Sequence, residues 1–214
     1  MNEMNIIEKL EWRYAVKAFD ADKAVPDRSV EQLIEIVRLS PSSRGLQPYK
    51  IAVIYDKNTK SALAKASISS NTRKIEQASH LIVFAIRASL DKETIDRQIS
   101  LAAEISKRSR ESLQGYQTGI EKFIGENTQE QLRVWSTHQA YLAVGNLLTA
   151  CALMDIDTCP MEGIDSAAYD KVLTLTTEGL MTVVAVAIGY RDSDDLYSKY
   201  EKVRKPTNEI LIKF

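Results

Sequence analysis

Hydrophobic residues recur with helical spacing in the segment 27–39, DRSVEQLIEIVRL. The four apolar residues that share one face, at i, i+3, i+4 and i+7, are Val30, Leu33, Ile34 and Val37. Pro26 and Asp27 suit the first turn of such a helix, and Pro41 disfavours helical angles in the residue before it. The pattern therefore predicts an amphipathic helix over 27–39 that ends before Pro41.

Three further segments are almost wholly apolar and rich in β-branched residues over the length of a strand. They are IAVIY at 51–55, HLIVFAI at 80–86 and MTVVAVAIGY at 181–190. Runs without polar alternation are typical of strands whose two faces are both covered. The tail TNEILIKF alternates instead, with Ile210, Ile212 and Phe214 on one side, and predicts a terminal strand. We expect this arm, 207–214, to pair with a sheet edge of a partner subunit.

Long helical patterns cover 91–113 and 128–154. The second is apolar nearly all round from Ala140 onward, which predicts deep burial, against a copy of itself among other surfaces. Its apolar stripe comprises Leu132, Trp135, Gln139, Leu142, Leu147 and Cys151. With no repeat or flexible linker, residues 1–214 are expected to form one α+β domain.

Composition narrows the function classes. The chain has 214 residues, of which 44% are hydrophobic and 27% charged, and a formal net charge of −1. Such a balance provides no overall field for nucleic acid or an anionic membrane, so any anion site must be local. The start MNEMNIIEKLEW lacks the pattern of a secretory signal, and we expect a cytoplasmic protein without membrane or nucleic-acid partners.

Several familiar chemistries are absent from the sequence. It contains no GxGxxG, GxxxxGK[ST], HExxH or GxSxG motif. Cys151 and Cys159 lack CxxC spacing, and His80 and His138 are distant from them, so neither a metal site nor a disulfide is expected. Because only 8 glycines occur, side chains must hold much of any anionic ligand.

Four short segments carry candidate ligand-binding groups. They are RYAVK with Arg13, Ala15 and Lys17 on alternate residues; NTRK with Asn71 and Lys74 on one helical face; CPMEGID with Pro160, Glu162 and Gly163; and EKVRKP with Lys202, Arg204 and Lys205. Taken singly, the first, second and fourth are as well explained by solvated edges, and the third by a plain connector. A fifth segment, SPSSRGLQP at 40–48, places small hydroxyls and an amide between a helix and a strand.

Together, in this order and at about this spacing, RYAVKAFD, SPSSRGLQP, NTRK, PMEG and KVR resemble the nitroreductase family of flavin enzymes. The resemblance spans the chain and is nearest to the oxygen-insensitive NAD(P)H nitroreductases related to flavin and dihydropteridine reductases. It implies an α+β fold with a central, mostly antiparallel sheet flanked by helices. It also implies an interlocked homodimer with FMN bound at the interface.

The resemblance also assigns roles by motif. Arg13, Lys202 and Arg204 would bind the FMN phosphate, near Tyr14 and Ala15, where many relatives have serine in place of Ala15. Lys17 and Lys74 would lie near flavin N1 and the C2 carbonyl, and Asn71 would bond the pyrimidine edge. The backbone amides of Glu162 and Gly163, which follow Pro160 and Met161, would reach N5 and O4. Pro41, Ser42, Ser43 and Gln47 would reach the flavin of the other subunit. Acceptor choice is assigned to the segment 110–125, where Tyr116 or Phe123 would cover the flavin or serve as a core aromatic.

The implied activity is NAD(P)H-dependent reduction of nitroaromatics, quinones or related acceptors through FMN, with ping-pong kinetics. No side chain is assigned as a dedicated acid or base, and Lys17 and Lys74 serve as electrostatic support. Two alternatives stay open: an enzyme for one metabolite, such as a dihydropteridine or flavin reductase, and a flavin-binding dimer without turnover.

Overall fold

Four strands form one antiparallel sheet at the centre of the computed structural model, which describes residues 6–214. The strands are β1 (Tyr49–Ile54), β2 (His80–Arg87), β3 (Asp157–Met161) and β4 (Leu180–Gly189). They lie in the order β1-β2-β4-β3, and each is antiparallel to its neighbours. In the central pair, His80 faces Ile188 and Arg87 faces Leu180, with a bulge between Phe84 and Ala85.

Helices surround the sheet. Within residues 6–214 they are α1 (Ile6–Trp12), α2 (Asp27–Arg38), α3 (Lys57–Lys65), α4 (Ser69–Gln77), α5 (Lys92–Ser106), α6 (Gln114–Gly125), α7 (Gln129–Leu153), α8 (Ser166–Val172) and α9 (Thr207–Ile210). Short 3₁₀ turns occur at Ser43–Gly45, Glu111–Leu113, Leu175–Glu178 and Leu196–Lys199.

Both faces of the sheet are buried, as the unbroken apolar runs predict. Ile82 and Phe84 of β2 point to one side, where they join a core with residues of α2 and α7. Leu81 and Val83 point to the other side and pack in a second core with residues of α3, α4 and α8. The alternation follows from the period of two along a strand. The expected α+β fold with helices on both faces of the sheet is confirmed.

The two strongest helical predictions are also confirmed, within a residue or two at each end. Helix α2 buries Val30, Leu33 and Val37. Helix α7 begins after Thr128, whose hydroxyl accepts from Gln131 N at 3.2 Å while Gln131 Oε1 accepts from Thr128 N at 2.8 Å. This capping box satisfies two backbone N–H groups at a helix start.

Three predictions about elements are wrong. The helix expected over 91–113 ends at Ser106, because Lys107 adopts a left-handed conformation with φ of 54°. The segment CPMEGID at 159–165, for which a plain connector was one of two interpretations, begins inside a strand, since Asp157 through Met161 pair with β4 and form β3. The tail forms a short helix, Thr207–Ile210, and no strand is formed by the described residues after it. Among the described residues the tail pairs with no strand, and helical hydrogen bonds satisfy part of its backbone instead.

The burial expected along α7 is only partly realised. Leu132, Gln139, Leu147 and Cys151 are buried, but Leu142 is 50% exposed. Tyr141 and Gly145 lie on the same open side of the helix. Helix α7 therefore packs on the sheet with one face and leaves an apolar stripe uncovered. No helix among residues 6–214 combines the length and hydropathy needed to cross a bilayer.

Candidate functional site

The segment after α1 runs extended beside β3 and the end of β4, which fixes the first predicted motif. Val16 N donates to Thr158 O at 3.1 Å, and Asp20 N donates to Tyr190 O at 2.8 Å. Phe19 is fully buried and packs so close to Gly189 that a Cβ there would lie 2.9 Å from its ring. Ala15 bridges Thr158, so Arg13, Ala15 and Lys17 occupy alternate positions of an extended chain, as predicted.

Arg13, Lys202 and Arg204 form a cationic cluster. The Lys202 ammonium donates to the carbonyl oxygens of Leu10 and Arg13, which ties the late KVR motif to the first. Burial lowers the pKa of Arg13, and the charge of Arg204 lowers it further. The pKa of Lys202 is lowered by burial and by both arginines. Two motifs 189 residues apart are thus brought together, and their charges repel.

One buried donor in this cluster has no acceptor. Arg13 Nη2 donates weakly to Thr158 Oγ1 at 3.5 Å, but Arg13 Nε is buried and has no hydrogen-bond partner among the described residues. A buried donor without an acceptor is costly. The cluster therefore has both the charge and the unused donor that an anion would satisfy.

Asp195 connects the two segments that carry these cations. Its Oδ2 accepts from Lys17 N at 2.8 Å, Ala18 N at 3.2 Å and the Tyr14 hydroxyl at 3.1 Å, and its Oδ1 accepts from Tyr197 N at 3.0 Å. Burial raises the pKa of this carboxyl, but the donated hydrogen bonds outweigh it and hold the pKa below the usual range. The carboxylate is thus a fixed anion behind the site.

A partly buried ion pair between Arg191 and Asp157 supports the same wall. Arg191 donates to Asp157 through Nη2 at 2.6 Å and Nε at 2.9 Å, and its guanidinium stacks on Trp12 at 4.2 Å and Tyr14 at 4.6 Å. A cleft of about 540 Å³ opens beside it. The site residues that line this cleft are Tyr14, Ala15, Lys17, Lys202 and Arg204.

The second motif, NTRK, contacts the third, CPMEGID, through Asn71. Asn71 Nδ2 donates to Gly163 O at 3.0 Å, and the buried Lys74 ammonium donates to Asn71 Oδ1 at 2.9 Å. The pKa of Lys74 is lowered by burial and by the charge of Lys17. The predicted common face of Asn71 and Lys74 is confirmed by this contact.

The PMEG loop, residues 160–163, ends β3. The Met161 side chain is buried in the core below the sheet, so only its backbone is available to a ligand. Gly163 lies so close to α4 that a Cβ would be 2.5 Å from Ile68 Cδ1. Pro160 and Glu162 line a cleft of about 440 Å³ against Tyr141 of α7. The Tyr141 hydroxyl donates to the Glu162 carboxylate.

The 40–48 loop is held by the helices around it. Ser43 N donates to Gln139 Oε1 of α7 at 2.8 Å, which fixes this part of the loop on the helix. Gln47 N donates to Ser42 Oγ at 3.0 Å within the loop. The Gln47 amide donates to Arg38 O at 2.7 Å. Pro41 is exposed. No hydrogen bond or ion pair joins this loop to the cationic cluster among the described residues, so the protomer does not bring these two predicted parts together.

Phe123 is half-buried in α6. Its ring packs on Trp135 with 5.0 Å between centroids, and the Arg44 guanidinium lies 4.7 Å above it. The hydroxyl of Tyr116 donates to Arg44 O at 2.6 Å. Both aromatic side chains therefore anchor the 40–48 loop to α6. These contacts do not test the predicted role of Phe123 in an acceptor pocket, which stays a prediction.

Other candidate groups are not part of this arrangement. A larger cavity of about 770 Å³ near His80 contains none of the predicted site residues, and its buried Lys60 ammonium donates to carbonyl oxygens at the end of α4. Burial raises the pKa of the Cys151 thiol to about 12, so it is not a thiolate at neutral pH. Within residues 6–214, no three His, Cys, Asp or Glu side chains are placed to hold a metal ion.

Comparisons with known proteins identify the family and the fold of the chain. The family model described as "Nitroreductase family" matches residues 10–190. The chain belongs to the nitroreductase family. A Staphylococcus epidermidis protein named "Putative NAD(P)H nitroreductase" is 31% identical, and the alignment covers 99% of this chain and 98% of that protein.

Solved structures share the nitroreductase fold. One, named a "putative NAD(P)H:FMN oxidoreductase" from Staphylococcus epidermidis, superposes with a TM-score of 0.86 over 100% of this chain and 97% of that one, at 20% identity. Another, named a "putative nitroreductase" in complex with FMN from Exiguobacterium sibiricum, gives a TM-score of 0.84 over 100% and 99% at 19% identity. At such identities these likenesses establish the fold of this nitroreductase-family chain.

Sequence reasoning missed three structural members of the site: Asp195, the Arg191–Asp157 pair and Tyr141. The segment DSDDLY contains four polar residues before Leu196, and nothing in its spacing distinguishes Asp195 from Asp192 or Asp194. Tyr141 was included only in an apolar helical pattern. What identifies these residues is their closeness in space to a motif. The sequence alone does not contain that information.

Proposed function

We propose that the chain is an FMN-dependent oxidoreductase that takes electron pairs from NADH or NADPH and passes them to nitroaromatics, quinones or related acceptors. A similar fold has been solved in complex with FMN, and a full-length relative bears the NAD(P)H nitroreductase name. A bound flavin supplies hydride acceptance and two-electron release, which amino-acid side chains do not provide. One site that serves donor and acceptor in turn gives ping-pong kinetics.

The buried, unpartnered Arg13 Nε is the observation that carries this proposal. Leaving such a donor unsatisfied costs about 1–3 kcal/mol, and the neighbouring Lys202 and Arg204 add repulsion. A phosphate group would remove both costs, because guanidinium groups bind its oxygens through paired N–H donors. The cationic cluster, of which Lys202 and Arg204 line the cleft and Arg13 lies behind it, therefore fits the phosphate of FMN.

Lys17 and Lys74 would support the ring end of the same cofactor. Their ammonium groups are held by the fold before any ligand binds, Lys74 by Asn71 and Lys17 over the Tyr197 ring at 5.3 Å. Positive charge placed in advance stabilises negative charge that develops during reaction. Asn71 and the backbone of Glu162 and Gly163 would hold the polar edge of the ring.

The functional unit in this proposal is a homodimer. The 40–48 loop, with Pro41, Ser42, Ser43 and Gln47, would then complete the site of the partner, and Phe123 would border the acceptor. Support comes from the apolar stripe of α7 and from the tail, where Ile212 is 76% exposed. Uncovered apolar surface of this kind is typical of a protein–protein contact.

The visible absorbance spectrum of the purified protein tests the proposal. We expect a flavin spectrum, in the isolated protein or after FMN is added, that bleaches with NADH or NADPH under anaerobic conditions and returns when a quinone or nitroaromatic is supplied. Initial rates at several concentrations of donor and acceptor should give parallel double-reciprocal lines. A protein that binds no FMN would refute the assignment, and bound FMN that no nicotinamide reduces would favour a flavin-binding dimer without turnover.

A pair of variants tests the phosphate assignment. Arg204→Ala removes one cation of the cluster, and loss of a charged hydrogen bond of about 1.5–3 kcal/mol would weaken FMN binding by roughly ten- to a hundredfold. Lys205→Ala removes the next cation along the chain, which faces Glu209 at 4.0 Å, and should leave FMN binding unchanged. FMN titration by fluorescence quenching measures both. Equal affinities in the two variants would contradict the assignment.

A further inference from the structure

Tyr141 and Glu162 form a side-chain pair at the edge of the PMEG loop. The Tyr141 hydroxyl, on the open side of α7, donates to the Glu162 carboxylate. Burial raises the pKa of Tyr141, and the bond to Glu162 and its charge raise it further, so the phenol stays protonated and acts as the donor. The carboxylate therefore has a neutral partner, and its negative charge is not cancelled by an ion pair among the described residues.

The pair faces a cleft in which its charge stands out. The cleft of about 440 Å³ is otherwise lined by Val144, Gly145, Leu148, Pro160 and Val184. Because the other residues that line the cleft carry no charge, the direction of this carboxylate determines where negative charge lies in it. The next residue, Gly163, is held on its other side by Asn71, which also binds the Lys74 ammonium.

The PMEG loop is thus held at two points. One is the contact with Asn71, which binds the Lys74 ammonium, and the other is the contact of the Glu162 carboxylate with Tyr141. On the α4 side, Gly163 O accepts from Asn71 Nδ2 and from Ile68 N, both at 3.0 Å. On the α7 side, the only side-chain bond to Glu162 in the described chain comes from Tyr141. Without that bond the exposed Glu162 side chain would be free to turn about its own rotamers.

We propose that Tyr141 is a positioning residue that holds the Glu162 carboxylate toward α7, away from the cofactor ring, and so raises the reduction potential of that ring. This inference rests on the proposed function. A carboxylate that swings toward the ring would oppose the support given by Lys17 and Lys74 and disfavour the more negative, reduced cofactor. Tyr141 acts through Glu162 and need not contact the cofactor.

The test is a double-mutant cycle read out by the midpoint potential of bound FMN. Tyr141→Phe keeps the ring and removes the donor, and it should lower the ratio of affinities for reduced and oxidised FMN about tenfold, equivalent to about 30 mV for a two-electron couple. Glu162→Gln removes the charge. In the Glu162→Gln background, Tyr141→Phe should leave the potential unchanged, because the charge it positions is gone.

Controls separate this role from a general loss of structure. Tyr55→Phe removes a hydroxyl from a tyrosine that is 73% exposed and lies beside His80, and it should not move the potential. Thermal unfolding of each variant reports whether it folds. If Tyr141→Phe does not fold, Glu162→Gln alone still tests the inference, because removal of the charge should itself raise the midpoint potential.

The outcomes are distinct. A wild-type protein that binds no FMN refutes the proposed function and this inference with it. A flavin-loaded wild type refutes only this inference if Tyr141→Phe leaves the potential unchanged, if its shift persists in the Glu162→Gln background, or if Glu162→Gln alone fails to raise the potential.

Discussion

At the scale of single residues, the buried carboxylate of Asp195 determines how the cationic cluster is presented. Asp195 is 3% exposed and accepts from the backbone of Lys17 and Ala18, on the first motif, and of Tyr197, which precedes the last. It thereby sets the distance between segments that would share one phosphate.

We expect Asp195→Asn to lower the free energy of unfolding by about 1.5–3 kcal/mol at neutral pH, the usual value of a hydrogen bond to a charged group. The pKa of Asp195 is lower in the folded state than in the unfolded one. Its contribution is therefore fully present above the unfolded pKa of about 4 and is lost as the pH falls through the folded pKa. Urea unfolding of wild type and variant should converge in acid.

Asp194→Asn is the matched control for this pH dependence, because Asp194 is the neighbouring exposed carboxylate. Its unfolding free energy should follow that of the wild type at each pH. A difference between Asp195→Asn and wild type that stays constant from neutral pH into acid would contradict the assigned role.

At the scale of elements, Gly145 lies in the middle of the 25-residue helix α7 without a reason in the protomer. A Cβ at this position would meet nothing within 4 Å. Glycine inside a helix costs about 1 kcal/mol relative to alanine. Close approach of another surface to the backbone would explain the glycine. The neighbouring Tyr141 and Leu142 are exposed on the same side.

We therefore expect Gly145→Leu to weaken dimer formation at least tenfold, and to lower FMN occupancy with it, because the 40–48 loop of the partner would be displaced. Gly115→Leu is the matched control, since Gly115 of α6 also has open space around its Cα. Sedimentation velocity over a range of concentrations measures both variants. An unchanged dimer in Gly145→Leu would place the interface elsewhere.

Elements with a clear period were predictable, and those set by local backbone geometry or distant pairing were not. Helix α2 and strands β2 and β4 follow directly from their apolar patterns. Strand β3 is only five residues long, contains Pro160 and depends on pairing with β4. Helix α5 ends because Lys107 adopts a left-handed conformation. Glycine is the usual residue at such a helix end, and its absence here left the end unpredicted.

The same distinction applies to the site. Asn71 and Lys74 share a helical face, so their contact was predictable from an i, i+3 spacing. The bond from Lys17 N to Asp195 spans 178 residues and follows only from the completed sheet. Family resemblance supplied the candidate ligand-binding residues, whereas the residues that hold them in place were found only from the three-dimensional contacts.

At the scale of the whole molecule, the protomer leaves complementary surfaces open. The outer edge of β1 has no strand paired with it among the described residues, and an apolar cleft of about 320 Å³ lies there, lined in part by Ile34 and Tyr49. The tail carries Ile210, Ile212 and Phe214, all strongly exposed. Ile210 belongs to α9, whereas Ile212 and Phe214 lie in the non-helical end of the tail. Uncovered apolar side chains of this kind are typical of a protein–protein contact.

We expect residues 211–214, which follow the short helix α9, to stabilise the proposed dimer through Ile212 and Phe214. Ile212→Ser together with Phe214→Ser should weaken the dimer more than tenfold, because burial of each apolar side chain contributes about 1.5–3 kcal/mol. Lys213→Ser, on the opposite face, is the matched control and should have little effect. Sedimentation equilibrium measures the dimer dissociation constant of each variant. Equal constants for the double variant and Lys213→Ser would show that the tail does not bind with this register. In that case the exposed stripe of α7 alone would have to account for the association.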